Sequence, residues 1–177
     1  MIVIKAPEII TPKVLENITL FLGGSIDLGQ AENWQERVSE ALSSIDKLTL
    51  LNPRRDDWDT TKEQFKEQVN WELAGQEYAD ILLYYFSPGS KSPITLLELG
   101  LATSTYNTDK NHRRIIVFCN DSFYRYGNVK LVCDRYQIPL YEDFDTLILE
   151  IKKLYQVKYN EYFNPNGATN ECYFKKF

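Results

Sequence analysis

Short apolar runs alternate with amphipathic stretches along most of the chain. Ile18-Thr19-Leu20-Phe21-Leu22 reads as a buried strand ended by Gly23-Gly24-Ser25. A helix is expected over about 33–44, where Trp34, Val38, Ala41, Leu42 and Ile45 recur at helical spacing. Leu48-Thr49-Leu50-Leu51 is a second strand, stopped by Asn52-Pro53. Thr61 with Gln64 three residues on resembles a capping box and opens a helix that runs to about Tyr78. On that helix Phe65, Val69 and Leu73 or Gln76 mark the expected inner stripe by their spacing, and Glu72 falls beside it. Asp80 to Phe86 is a third strand, nearly all apolar as a central parallel strand covered on both faces should be. Ser87-Pro88-Gly89 breaks it; Ser92 can cap the next helix, with Pro93 suited to the first position. Arg114 to Cys119 forms a fourth strand, followed by a helix near 128–137, a short strand at Leu140-Tyr141 and a helix from about 143 to 159. Met1 to Ala6 is available as an extra edge strand.

Strand–helix alternation with short loops implies an α/β fold. Right-handed crossovers restrict it to a doubly wound, five-stranded, mainly parallel sheet of Rossmann- or flavodoxin-like type, with room for the N-terminal edge strand. No repeat or Pro/Gly-rich linker divides the chain, so residues 1–177 read as one domain. Within it, 1–17 is an edge segment, 18–160 the α/β core and 161–177 an aromatic C-terminal tail.

The 44% apolar and 25% charged fractions are ordinary for a soluble globular protein, and a net charge of -5 argues against a non-specific nucleic-acid binder. No apolar run approaches a membrane span, and the apolar stretch at Met1 is too short for a signal peptide, so a cytoplasmic location is expected. Cys119, Cys133 and Cys172 form no CxxC pair and fit no zinc pattern; they read as buried free thiols. His112, the single histidine, lies in the polar run Asn107 to Arg113, which speaks against a Ser-His-Asp or Cys-His mechanism. Any acid–base chemistry therefore falls to carboxylates, and neither a metal nor an organic cofactor is expected.

Glu98 is the residue to explain. It interrupts the apolar run Ile94 to Ala102, so a helix built there should lie in or close to the core. A carboxylate in that place is costly unless donors satisfy it or a polar pocket receives it. Chemistry and a structural ion pair both remain open for it. In a doubly wound sheet the ligand crevice lies at the carboxyl ends of the strands, and the unusual residues gather there. After the first strand, Gly23, Gly24 and Ser25 permit close backbone approach to an anion or a sugar hydroxyl. After the second, Asn52, Arg54, Arg55 and Trp58 offer an amide, two guanidinium forks and a stacking plate. Beside the turn at Gly23 to Ser25 such forks suit a 5′-phosphate, although at least one arginine is expected to pair with Asp56, Asp57 or a core carboxylate. Glu72 and Glu98, both directed inward, suit glycosidic chemistry in which one carboxylate attacks the anomeric carbon and the other manages protons or sugar hydroxyls.

Five segments resemble the nucleoside 2-deoxyribosyltransferase-like family: Phe21 to Ile26, Asn52 to Trp58, Gln68 to Glu72, Ala79 to Ile81 and Ser92 to Gly100. They are similar to a branch marked by Asn-Pro-Arg-Arg and Trp-Glu. The resemblance implies that Glu98, just before Leu99-Gly100, is a nucleophile forming a covalent deoxyribosyl-enzyme, and that Glu72 takes part in base protonation or substrate positioning. It further implies a small-molecule nucleoside or nucleotide substrate, Ser92 near the sugar, and a homodimer or larger homo-oligomer. In such an assembly Asn128 or the aromatic tail of a neighbour would complete the site; a tail strapped onto its own domain is the preferred alternative. Where the family carries an aspartate upstream of the nucleophile, this chain reads Lys91-Ser92-Pro93. That departure keeps open a nucleotide-binding or sensing module with weak or no turnover.

Overall fold

The computed structural model describes residues 1–11, 16–26, 32–57, 61–106 and 114–164. In chain order its elements are β1 (Ile2–Lys5), β2 (Ile18–Gly24), α1 (Trp34–Leu42), β3 (Leu48–Asn52), α2 (Lys62–Tyr78), β4 (Ile81–Phe86), α3 (Pro93–Tyr106), β5 (Arg114–Cys119), α4 (Tyr126–Tyr136), β6 (Leu140–Tyr141) and α5 (Phe144–Phe163). The strands form one six-stranded sheet in the order β1-β3-β2-β4-β5-β6, and each neighbouring pair is parallel. The N-terminal segment supplies the edge strand, pairing Ile2 to Lys5 with Thr49 to Asn52.

The period-2 geometry of a strand explains why β4 carries no polar alternation. Ile81, Leu83 and Tyr85 enter one core layer, with Trp34, Val38 and Leu42 of α1 and Leu147, Ile148 and Ile151 of α5. Leu82, Tyr84 and Phe86 enter the other, with Trp71 of α2, Leu99 of α3 and Val129 and Cys133 of α4. Both faces are covered, so every residue of β4 is buried. The chain leaves β2 through α1 toward β3, and leaves β4 through α3 toward β5. The winding direction therefore reverses between β2 and β4, where a doubly wound sheet opens its crevice.

Two helices turn differently from the sequence expectation. On α2 the buried residues are Gln68, Trp71 and Gly75, whereas Phe65 and Leu73 are exposed. An apolar i, i+4 row marks the inner face only if that whole face meets core. Here the inward face is divided between Trp71 and Gly75, which pack on the core, and the polar Gln68, Glu72 and Gln76. Glu72 does point inward, on a Gln68–Glu72–Gln76 stripe. On α3, Ile94, Leu97 and Leu101 are 59%, 59% and 55% exposed, so the helix is not enclosed by core; Glu98 on its inner side is 8% exposed. Ser92 also departs from the expected cap geometry: its φ is 43°, outside the extended region an N-cap adopts, and its hydroxyl bonds other serines. Thr61 does cap α2, accepting from the Gln64 amide at 3.2 Å. Among the described residues no helix is long and apolar enough to cross a membrane.

Candidate active site

The turn after β2 is held by its neighbours on both sides. Trp34 stacks on Tyr85 at 4.4 Å and Tyr85 on Phe118 at 4.2 Å, a ladder of rings across the sheet face. The Trp34 indole donates to the Ser25 carbonyl at 3.0 Å, and the Ser25 amide donates to the Tyr85 carbonyl at 3.2 Å. Gly24 has no space for a side chain. A Cβ there would lie 2.5 Å from the Tyr85 carbonyl oxygen and 2.6 Å from the Trp34 ring. Gly23 is almost as tight, at 3.0 Å from the Phe21 ring and 3.1 Å from that of Tyr84.

Across the reversal point the loop after β4 meets this turn through hydroxyls. Ser25 Oγ is 2.8 Å from Ser90 Oγ, is hydrogen-bonded to Ser92 Oγ and accepts the Ser87 amide at 3.2 Å. Ser90 and Ser92 are joined at 2.7 Å. The buried Ser87 hydroxyl has no partner among the described residues. Ser87 and Ser90 were not foreseen as site residues; the available signal was a serine-rich loop directly after a wholly apolar strand.

The two carboxylates converge from facing helices. Glu98 on α3 accepts from the Gln76 amide nitrogen of α2 at 2.7 Å, and Tyr84 of β4 donates to the Gln76 carbonyl at 2.7 Å. Glu72, one turn before Gln76, accepts from Gln68 at 2.9 Å, and Gln68 also donates to the Pro53 carbonyl at 2.8 Å. Burial raises the Glu98 carboxyl from 4.5 to about 8; the Glu72 charge adds to the rise and the Gln76 donor opposes it. Burial also raises Glu72, against the Gln68 donor. Burial thus favours the protonated form of both, and a charge on Glu72 strengthens the hold on the Glu98 proton.

Beyond β3, the Asn52 side chain accepts from the Arg54 amide at 2.9 Å and shapes the loop. Arg54 reaches the start of α1, donating to the Glu32 carbonyl at 3.2 Å and to Gln35 Oε1 at 3.3 Å. Gln35 is fully buried, and its amide nitrogen has no partner among the described residues. Arg55 turns the other way: buried, it donates to Glu67 of α2 at 2.7 Å and to Asp57 at 3.3 Å. This is the ion pairing expected of at least one of the two arginines. Asp57 and Glu67 are exposed enough to hydrate when left alone, so Arg55→Ala is expected to cost about 1.5–3 kcal/mol rather than more. Chemical denaturation measures this, with a smaller loss for Arg54→Ala. Asn128 lies exposed at the start of α4. Trp58, His112, Cys172 and residues 165–177 lie outside the described residues, while Cys119 and Cys133 are buried free thiols. Among the described residues no group of three or more His, Cys, Asp or Glu could hold a metal ion.

The family model described as nucleoside 2-deoxyribosyltransferase like matches residues 17–123, more than half of the chain and the whole stretch from β2 to the loop after β5. No curated protein matches the chain.

Proposed function

The chain belongs to the nucleoside 2-deoxyribosyltransferase-like family, and on that premise we propose that it cleaves the N-glycosidic bond of a deoxynucleoside or its 5′-monophosphate through a glycosyl-Glu98 ester. The observation that supports this best is the convergence of Glu98 and Glu72 from α3 and α2 beside the β2–β4 reversal point. A carboxylate oxygen of Glu98 attacks C1′, the C1′–N bond breaks, and its electron pair leaves on the base, which takes up a proton. Water or a second base then attacks C1′ and returns the electron pair of the C1′–O bond to Glu98.

Attack needs the charge on Glu98, and departure of the base needs a proton, so the working form of the pair carries one of each. Glu72 is the proposed holder of that proton: the pair shares one proton, and substrate binding is proposed to move it to Glu72 from Glu98, which keeps it up to about 8 in the free protein. The kcat/KM profile is accordingly expected to fall above about 8, where the second proton of the pair is lost. A plateau continuing above 8 would leave protonation to solvent and remove Glu72 from that role.

Arg54 is the proposed contact for a substrate 5′-phosphate, with Asn52 shaping its loop and Gly23, Gly24, Ser25 and Ser92 backing the sugar side. Arg54→Ala should weaken monophosphate binding by roughly ten- to a hundredfold while sparing the nucleoside. Equal losses for both ligands would make the arginine a loop support. The same reading takes a second copy of the chain as the cover for the outward face of Ile94, Leu97 and Leu101, since an uncharged face is complementary to itself about a two-fold axis. A monomeric mass in solution would remove that part.

The deciding experiment incubates the purified protein with a panel of deoxynucleosides and monophosphates, with and without an acceptor base, and follows free base by chromatography. Release without an acceptor denotes hydrolysis, and exchange only with one denotes transfer. The hydroxyl cluster around Ser92, in place of an acid, favours a second reading, a nucleotide-binding module with little turnover. Binding without base release across the panel would select it.

A further inference from the structure

Resting on Glu98 as the nucleophile, we propose that Gln76, locked by Tyr84, is a positioning residue that decides which oxygen of Glu98 reacts and how readily that carboxyl ionises. A primary amide has one accepting end and one donating end, so fixing either fixes both. Tyr84 is fully buried on β4 and its hydroxyl donates to Gln76 Oε1 at 2.7 Å. The amide nitrogen is thereby turned toward Glu98 and donates to Oε1 at 2.7 Å. With Oε1 held, Oε2 is the attacking atom.

The arrangement also follows the charge through both steps. When Oε2 bonds to C1′, Oε1 becomes the ester carbonyl oxygen and the negative charge leaves with the base. When the C1′–Oε2 bond breaks, the electron pair returns to the carboxylate and the Gln76 N–H meets the charge developing on Oε1. A donor placed in advance where charge appears needs no reorganisation at that moment. Gln76 therefore serves chiefly the second step, release of the sugar from Glu98. The groups around Glu98 leave this task to an uncharged donor. Glu72 on α2 opposes ionisation by its charge, and Tyr84 on β4 acts through the amide.

Gln76→Met keeps the length and removes the donor; Tyr84→Phe removes only the lock. Each protein is labelled with carboxyl-13C glutamate, and the Glu98 resonance, assigned by its absence from Glu98→Gln, is titrated by NMR. The midpoint is expected to rise by about one unit in Gln76→Met and by less in Tyr84→Phe, as loss of one donor to a charge implies. The double variant should titrate like Gln76→Met alone, because Tyr84 acts through the amide. With substrate, Gln76→Met should show a first-turnover burst of base, then slow turnover, with the glycosylated protein visible by intact mass after acid quench. A folded Gln76→Met protein whose Glu98 titrates as in wild type overturns the proposal, as does an added shift from Tyr84→Phe in the double variant. The titration needs no turnover, so an inactive wild type would sink the enzymatic reading while the role of Gln76 is still decided.

Discussion

Glu98→Gln is expected to abolish base release, by roughly a thousandfold or more, and to make the same protein more stable as the pH rises. The first effect follows from removing the carboxylate proposed to make the first attack on C1′ while preserving shape. The second follows from linkage. In the unfolded chain Glu98 ionises near 4.5, whereas the fold holds its proton to about 8. A raised folded-state pKa contributes stability that is fully present below 4.5 and is lost as the pH climbs through about 8. The glutamine variant has no proton to lose, so its advantage should be near zero at pH 4, grow across that window and level off above it. At 1.36 kcal/mol per unit, the ceiling is on the order of 3–5 kcal/mol. Thermal unfolding of both proteins between pH 4 and 9 measures it. A difference that is flat with pH would mean that Glu98 is not held protonated by its surroundings, and turnover like the wild type would remove it from the mechanism.

Gly24→Ala should be the most damaging single methyl in the crevice. The added carbon would sit 2.5 Å from the Tyr85 carbonyl oxygen, which is backbone and cannot swing aside, and 2.6 Å from the Trp34 ring. The Gly24–Tyr85 pairing and the Ser25 amide bond to that same carbonyl would both be forced apart. Overpacking of this kind costs about 3 kcal/mol, read as a lower denaturation midpoint. Displacing Ser25 would also loosen its hydroxyl contacts with Ser90 and Ser92, so substrate affinity should fall even where the protein remains folded. A stability change below about 0.5 kcal/mol, the range of an ordinary surface substitution, would show that the two strands part more easily than their geometry implies. Trp34→Phe offers the comparison, since a smaller ring opens space on one side of the glycine but leaves the carbonyl in place.

The strands were legible because burial on both faces leaves a nearly uninterrupted apolar run, and β5 and β6 begin and end at the residues expected. The rule that a doubly wound sheet opens its crevice at the carboxyl ends of the strands then pointed to the loops after β2, β3 and β4 and to Glu98 and Glu72. The reversal between β2 and β4 emerges only from the strand order. The inner face of α2 was misread for a physical reason. Hydrophobic spacing reports a helix's apolar side, and that side meets solvent here because the inward face is divided between Trp71 and Gly75 and the polar Gln68, Glu72 and Gln76. The same cause hid the exposure of Ile94, Leu97 and Leu101. Arg55 and Arg54 are adjacent in sequence, so only the placement of Glu67 on α2 and Gln35 on α1 separates their roles. Gln76 was visible as a position on the stripe, but its task arises from two bonds to residues on different elements. The serine-rich loop after β4 was visible in the sequence, but its contact with Ser25 joins two loops and has no signature in either alone.

The division of α2 by angle separates attachment from chemistry. Trp71 and Gly75 attach the helix: the Trp71 indole donates to the Glu8 carbonyl at 2.7 Å, and Gly75 rests against the Phe21 ring. Gln68, Glu72 and Gln76, interleaved with them, form the crevice wall. Substitutions on that wall, where Glu72 and Gln76 are proposed to act on the reaction and Gln68 donates to Glu72, should therefore change the chemistry while leaving the attachment of the helix in place. The anchoring residues would meanwhile keep the helix in register, so that on α2 a loss of function can be separated from a loss of fold.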